Sequence, residues 1–228
     1  MNTSAATIVE EVCSDANLLA RQSQSHNYLD EYSSFSAAIK TRPESAMLEV
    51  AHLEYQYALF ALASGLYRHA FMSLRLTMEL ALSGIFYSAE EIRYRRWVAG
   101  SADINWGAVI DNEEGLFSKN FIKAFSPEFA ENGAQYRAIA AASYRECSEY
   151  VHGNWKTHEQ AGSHVKLKEE LFIAWHELAD SVHLAITFAF AARFGSYLGT
   201  DDLSSVQPIL TDAIGELPAV QALFGAAK

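Results

Sequence analysis

Tyr144-Arg145-Glu146-Cys147-Ser148-Glu149-Tyr150-Val151-His152-Gly153-Asn154 is the stretch whose reading decides the fold. Through and upstream of it, Tyr136, Ala140, Ser143, Tyr144, Cys147 and Val151 recur at steps of three and four, the spacing of an apolar stripe along one side of a helix. Gly153-Asn154 is a stop signal, because glycine accepts the left-handed conformation in which helices commonly end. The spacing predicts a helix over 128–152, with Arg145, Ser148, Glu149 and His152 on a face beside the buried stripe. Arg145 and His152 are seven positions apart, so they differ by about 20° in direction and about 10 Å in height. A fixed cation and a titratable base looking over one surface are the ingredients of phosphodiester chemistry. Glu149, four residues after Arg145 and three before His152, offers a competing use: a charge ladder that only stabilises the helix end.

The same periodicity extends in both directions. Pro43 suits the first turn of a helix that runs to Ala63, with Met47, Val50, Ala51, Leu53, Tyr57, Phe60 and Ala61 as its stripe. Ser64-Gly65 punctuates it. A second helix over 66–87 carries Leu66, Ala70, Leu74, Met78, Leu82 and Phe86 in four-residue steps, with Arg68, Arg75 and Glu79 on another face. So short a link predicts an antiparallel hairpin. A short helix over 89–98 is acidic at its start (Glu90, Glu91) and basic at its end (Arg93, Arg95, Arg96), matching the helix dipole. Residues 100–115 read as a loop, 118–125 as a short helix stopped by Ser126-Pro127, and 165–198 as a long apolar helix. His176 and His183 share a face of that last helix as core or interface residues. Before Pro43, helical spacings over 5–19 and 28–39 flank the polar run Arg21-Gln22-Ser23-Gln24-Ser25; after 198, amphipathic pieces cover 206–214 and 219–224. No stretch alternates with period two for long enough to make a strand. The expected fold is all-α: an up-and-down bundle of about four main helices with short inserted helices. Residues 1–43 form an N-terminal helical arm, 44–198 the bundle, and 199–228 a tail with short helices.

Half of the 228 residues are hydrophobic, enough for a sizeable core. There is no uninterrupted apolar run of membrane-spanning length and no basic-then-apolar leader, so a cytoplasmic protein without membrane attachment is expected, with Cys13 and Cys147 as reduced thiols. A net charge of −11 excludes a general nucleic-acid coat protein, since phosphate binding relies on clustered Lys and Arg. The charge is uneven, however. Residues 1–64 hold eight acids against three bases, while 65–145 hold nine of each. A local positive site inside an acidic molecule remains compatible with the sequence.

Arg145, six intervening residues and His152 at a helix end resemble the motif of the HEPN superfamily (higher eukaryotes and prokaryotes nucleotide-binding). The phrase Ser148-Glu149-Tyr150-Val151-His152-Gly153 and the helix from Gly65-Leu66-Tyr67-Arg68-His69-Ala70-Phe71 through Leu74-Arg75 and Glu79 are similar to those of bacterial members, over roughly residues 45–195. The resemblance implies a HEPN-like helical bundle and metal-independent endoribonuclease activity, without a cofactor, in a toxin or anti-phage effector. His152 would take the proton of a ribose 2′-OH and Arg145 would stabilise the phosphorane-like charge, with Ser148, Glu149, Asn154, Glu79 and Arg75 in support. Implied partners are RNA, a second copy in a homodimer, and an antitoxin or defence-complex protein. One departure is Glu146, where active members often carry Asn, Asp or His after the arginine. The alternative within the same resemblance is a non-catalytic module that binds protein or RNA.

Three weaker constellations complete the reading. Arg93, Arg95 and Arg96 with Tyr94 and Trp97 mix basic and aromatic character, as RNA-contacting surfaces do. Glu49-x-x-His52 and Glu149-x-x-His152, with Glu79 and Glu170, imitate a di-metal carboxylate bundle, though in a helix order unlike the ferritin type. His152, His158 and His164 recur every six residues, which is no zinc spacing. No phosphate-binding Gly loop, nucleophile elbow, Cys-x-x-Cys pair or Rossmann fingerprint is present, so nucleotide hydrolysis of those kinds is not expected; no metal ligand set is assigned.

Overall fold

Every regular element of the computed structural model is helical; it describes residues 2–152, 154, 155, 157, 159 and 165–225. In order these are α1 (Asn2–Ser14), α2 (Ala16–Ala38), α3 (Ser45–Ala63), α4 (Tyr67–Tyr87), α5 (Glu91–Val98), α6 (Trp106–Val109) and α7 (Lys119–Phe125). A 3-10 turn (Pro127–Phe129) leads to α8 (Gly133–Val151), followed by α9 (Glu169–Phe194), α10 (Thr200–Ile214) and α11 (Pro218–Gly225). Gly153, the expected stop of α8, and the loop histidines His158 and His164 lie outside the described residues. The protein is all-α.

The α3–α4 hairpin is the tightest pairing, and two glycines explain it. Gly65 adopts φ +71°, its N–H bonds Leu62 O at 2.9 Å, and Leu66 N–H reaches Ala61 O at 2.8 Å. This paired closure satisfies carbonyls at the end of α3 and reverses the chain within three residues. Farther along, a Cβ at Gly84 would meet Leu48 and Met47 at 2.9 Å, so the missing side chain is what lets α4 lie close against α3.

α9 is the helix the rest packs around. From Val182 to Phe194 only Leu184 escapes full burial, and a helix apolar on all sides belongs at a core centre. α2, α4, α8 and α10 surround it. Tyr136 of α8 stacks on Phe188 at 3.8 Å, and Phe35 of α2 on Phe190 at 4.4 Å. Residues 1–43, set apart in the sequence as an arm, thus place Tyr28, Tyr32 and Phe35 in the common core.

Local chemistry moves several boundaries. The polar run 21–25 does not separate helices: the break falls at Asp15, whose carboxylate accepts from Asn17 N–H (2.8 Å) and Leu18 N–H (3.1 Å), and α2 runs through the polar run. Arg21 pairs with Glu177 at 3.6 Å, Gln24 donates to the Tyr28 hydroxyl at 3.3 Å, and Ser25 is buried against α9. The expected loop 100–115 contains α6, capped by Asn105 accepting from Ala108 N–H at 3.2 Å. α8 begins five residues later than the spacing suggests, because Pro127 starts a separate 3-10 turn. Among the described residues no helix is long and apolar enough to cross a membrane.

Candidate functional site at the end of α8

α8 buries Tyr136, Ala140, Ser143, Cys147 and Tyr150. The stripe is therefore shifted from the expected one: Tyr144 and Val151 are only half-buried, and Tyr150 takes the inner position, stacked on Phe71 of α4 at 3.9 Å and 4°. Burial among apolar groups pushes the Tyr150 hydroxyl up to about 12 and the Cys147 thiol well above its ordinary range.

The helix end is held by a residue from the neighbouring helix α4. Arg68, in the first turn of α4, donates from Nε to Tyr150 O at 2.9 Å and from Nη2 to Val151 O at 3.4 Å. A guanidinium there satisfies carbonyls that have no helical partner and lies at the negative end of the helix dipole. His152 N–H closes the last turn on Ser148 O at 3.2 Å, and Ser148 Oγ turns back to Tyr144 O at 2.7 Å.

Arg145 and His152 emerge from this end as exposed side chains, and neither forms an ion pair or side-chain hydrogen bond with a described residue. The charge ladder is not formed. Glu149 instead accepts from the Asn154 side-chain amide.

One turn earlier, three side chains from two helices converge. Arg75 pairs with Glu79 Oε1 at 3.0 Å and donates to the Tyr144 hydroxyl, which itself donates to the same Glu79 oxygen at 3.0 Å. The guanidinium also lies over the Tyr144 ring, 4.5 Å from its centre, while Trp106 of α6 stacks on that ring at 4.3 Å and 7°. Burial, and then the Glu79 charge, raise the Tyr144 hydroxyl against the lowering effect of Arg75. The two supporting residues from α4 are therefore committed to each other and to Tyr144, a member the periodicity assigned to the core. An Arg and a Glu four apart on α4, with a tyrosine on the neighbouring helix, was the available signal.

The other candidates lie elsewhere. On α5, Arg93 pairs with Glu90, and Arg95 Nε donates to Glu91 at 2.7 Å; Arg96 is exposed without a side-chain partner among the described residues. A cleft of about 990 Å³ opens between the end of α8 and the start of α9, where Glu146, Glu149, Glu169 and Glu170 outnumber Lys166 and Lys168. Arg145 and His152 do not line it.

Among the described residues no three His, Cys, Asp or Glu side chains are placed to share a metal ion. The di-metal set is dispersed: Glu79 serves Arg75 and Tyr144, His52 shares a hydrogen bond with Gln56 on the surface of α3, and Glu170 and Glu149 face the acidic cleft. His176 and His183 are core residues. His176 Nδ1 lies 2.7 Å from Ser25 Oγ, and burial pushes its imidazole down to about 4. His183 Nε2 is 3.0 Å from Glu31 and its ring stacks on Tyr28 at 3.9 Å.

No protein-family model, curated protein or solved structure matches this chain.

Proposed function

We propose that this chain is a HEPN-like protein that engages RNA on the outer face of α8 and cleaves it without a metal ion, in the manner of a toxin or anti-phage effector. The observation that carries the reading is that Arg145 and His152 are exposed without a side-chain partner among the described residues, while Arg68, Arg75, Glu79 and Glu149 are all engaged. The imidazole of His152 accepts the 2′-OH proton; the 2′-oxygen bonds to the adjacent phosphorus as the phosphorus–5′-oxygen bond breaks, and the 5′-oxygen takes a proton from water, to which the His152 imidazolium afterwards returns its own. The products are a 2′,3′-cyclic phosphate and a 5′-hydroxyl. Arg145 balances the added negative charge of the phosphorus centre. An open helix face, as opposed to an enclosed pocket, suits a polymer lying along it more than a small molecule.

Incubation of the purified chain with single-stranded and structured RNA in the presence of a chelator tests this. Cleavage leaving cyclic phosphate ends is expected, with losses of about 100-fold or more in both His152→Ala and Arg145→Ala. Equal cleavage by the parent chain and His152→Ala overturns it. The second reading, a non-catalytic binding module, is favoured by one observation: the acidic cleft beside the site, which repels phosphate and suits a basic protein surface. Intact RNA in every reaction selects that reading.

A further inference from the structure

The carboxylates beside α8 decide from which flank a polyanion can reach its end. Glu146 and Glu149 of α8, with Glu169 and Glu170 of α9, line the cleft on one flank, where a phosphate chain is repelled. The flank toward α4 and α6 is different. Along α8, Arg137, Tyr144, Arg145, Ser148 and His152 project within about 100° of one another, and none of them is acidic. Arg137 makes no hydrogen bond or ion pair with a described residue, and its Nε is buried without a partner. Asp111, whose charge it feels, is already engaged by the N–H groups of Glu113 and Glu114, each at 2.9 Å. Trp106 of α6 stands on the same flank. Its indole is half-buried and stacked on Tyr144 at 4.3 Å and 7°, and Arg75 and Glu79 hold the Tyr144 hydroxyl. The indole is thus fixed in orientation before anything binds, yet part of it meets solvent.

We propose that Trp106 is a base-binding subsite: an unpaired nucleobase stacks on the indole while the strand's phosphates run past Arg137 and Arg145. The inference rests on the RNA reading and narrows it. Fixed aromatic faces interleaved with guanidinium groups hold single strands, because every base presents a π-face and every nucleotide a phosphate. Along α8, Tyr144 lies between Arg137 and His152, and the acidic cleft closes the opposite approach, so the strand leaves the cleavage point toward α6. Eight residues separate Tyr144 from His152, about 12 Å along the helix. The stacked base therefore belongs to a neighbour of the nucleotide whose 2′-OH is attacked, not to that nucleotide itself. A base in a duplex keeps both faces on its own neighbours, so the strand has to be unpaired at this position. Recognition by stacking tolerates any base, with a modest preference for the larger face of a purine.

Fluorescence anisotropy of the full chain with a labelled 2′-O-methyl oligonucleotide tests this, since that strand lacks the attacking hydroxyl and stays intact. Trp106→Ala is expected to weaken binding by about 10- to 100-fold. Trp106→Phe restores a ring and is expected to recover most of the loss, with circular dichroism confirming that both variants remain helical. When bases are deleted one at a time, one position is expected to matter most for the parent chain and to become indifferent in Trp106→Ala. Arg137→Gln is expected to lower the slope of log affinity against log salt by about 1. Parent-like binding by Trp106→Ala, a Phe variant no better than Ala, or base deletions that cost the same everywhere each overturn the subsite. So does a parent chain that binds no oligonucleotide, whether or not RNA is cleaved. RNA cleavage by Trp106→Ala at the parent's kcat/KM overturns the subsite alone. A 2′-O-methyl strand bound through Trp106, with all RNA left intact, overturns only the ribonuclease reading.

Discussion

His176 shows how much a single side chain can say about stability. It is 1% exposed, and burial, followed by the nearby Arg21 charge, pushes it from 6.5 to about 4. The unfolded chain therefore takes up a proton on this residue near pH 6.5, and the folded chain resists until about pH 4. Between those limits the unfolded state holds the extra proton, so stability falls as pH falls, by about 1.4 kcal/mol per unit and about 3 kcal/mol across the window. Urea midpoints measured across that range are expected to drop less for His176→Gln, which keeps a polar partner for Ser25 but does not titrate. Periodicity identified His176 as a core or interface residue, but its partner, Ser25, lay within a polar run that separated two helical spacings. The same blindness applies at Tyr144. Spacing can say that a tyrosine falls on an inner face, yet only the packed neighbours reveal that its hydroxyl bridges Arg75 and Glu79.

At the scale of elements, α8 depends on α4 for its ending. Arg68 spans the two helices at the point where α8 runs out of its own donors. Replacing it with Met keeps the aliphatic stem but leaves the Tyr150 and Val151 carbonyls without that donor, at a cost of about 1–2 kcal/mol. Amide exchange is expected to accelerate first at residues 148–152, with the interior of α8 little changed; uniform acceleration along the helix would refute a local role for Arg68. Helix existence was largely legible from the sequence, because strong three- and four-residue spacing leaves few alternatives over 45–63, 67–87 and 169–194. Boundaries were less so. The start of α2 was set by one side-chain cap at Asp15, and α6 by another at Asn105, each outweighing the polar composition around it. The dispersal of the Glu and His residues in the di-metal alternative could not be read from spacing at all, since it depends on how the helices are rotated about their axes.

For the molecule as a whole, charge and apolar surface point in different directions. With an overall charge of −11, the proposed RNA contact would be confined to a small area around Arg145, while the exposed Val50, Leu53, Tyr57 and Phe60 of α3 form a separate, uncharged surface. Neither surface would be altered by oxidation, because the thiol closest to the site, Cys147, is completely buried beneath it. That burial also makes the chain its own clock. Cys13 is exposed and Cys147 is not, so a thiol reagent should modify the native protein in two phases: a fast one at Cys13 and a slow one paced by the opening of α8. Mass spectrometry of the labelled peptides separates the two, and Arg68→Met is expected to quicken only the second. The residue that contributes least to the chemistry of the helix end is thus the one that reports, in seconds or hours, how often that end comes apart.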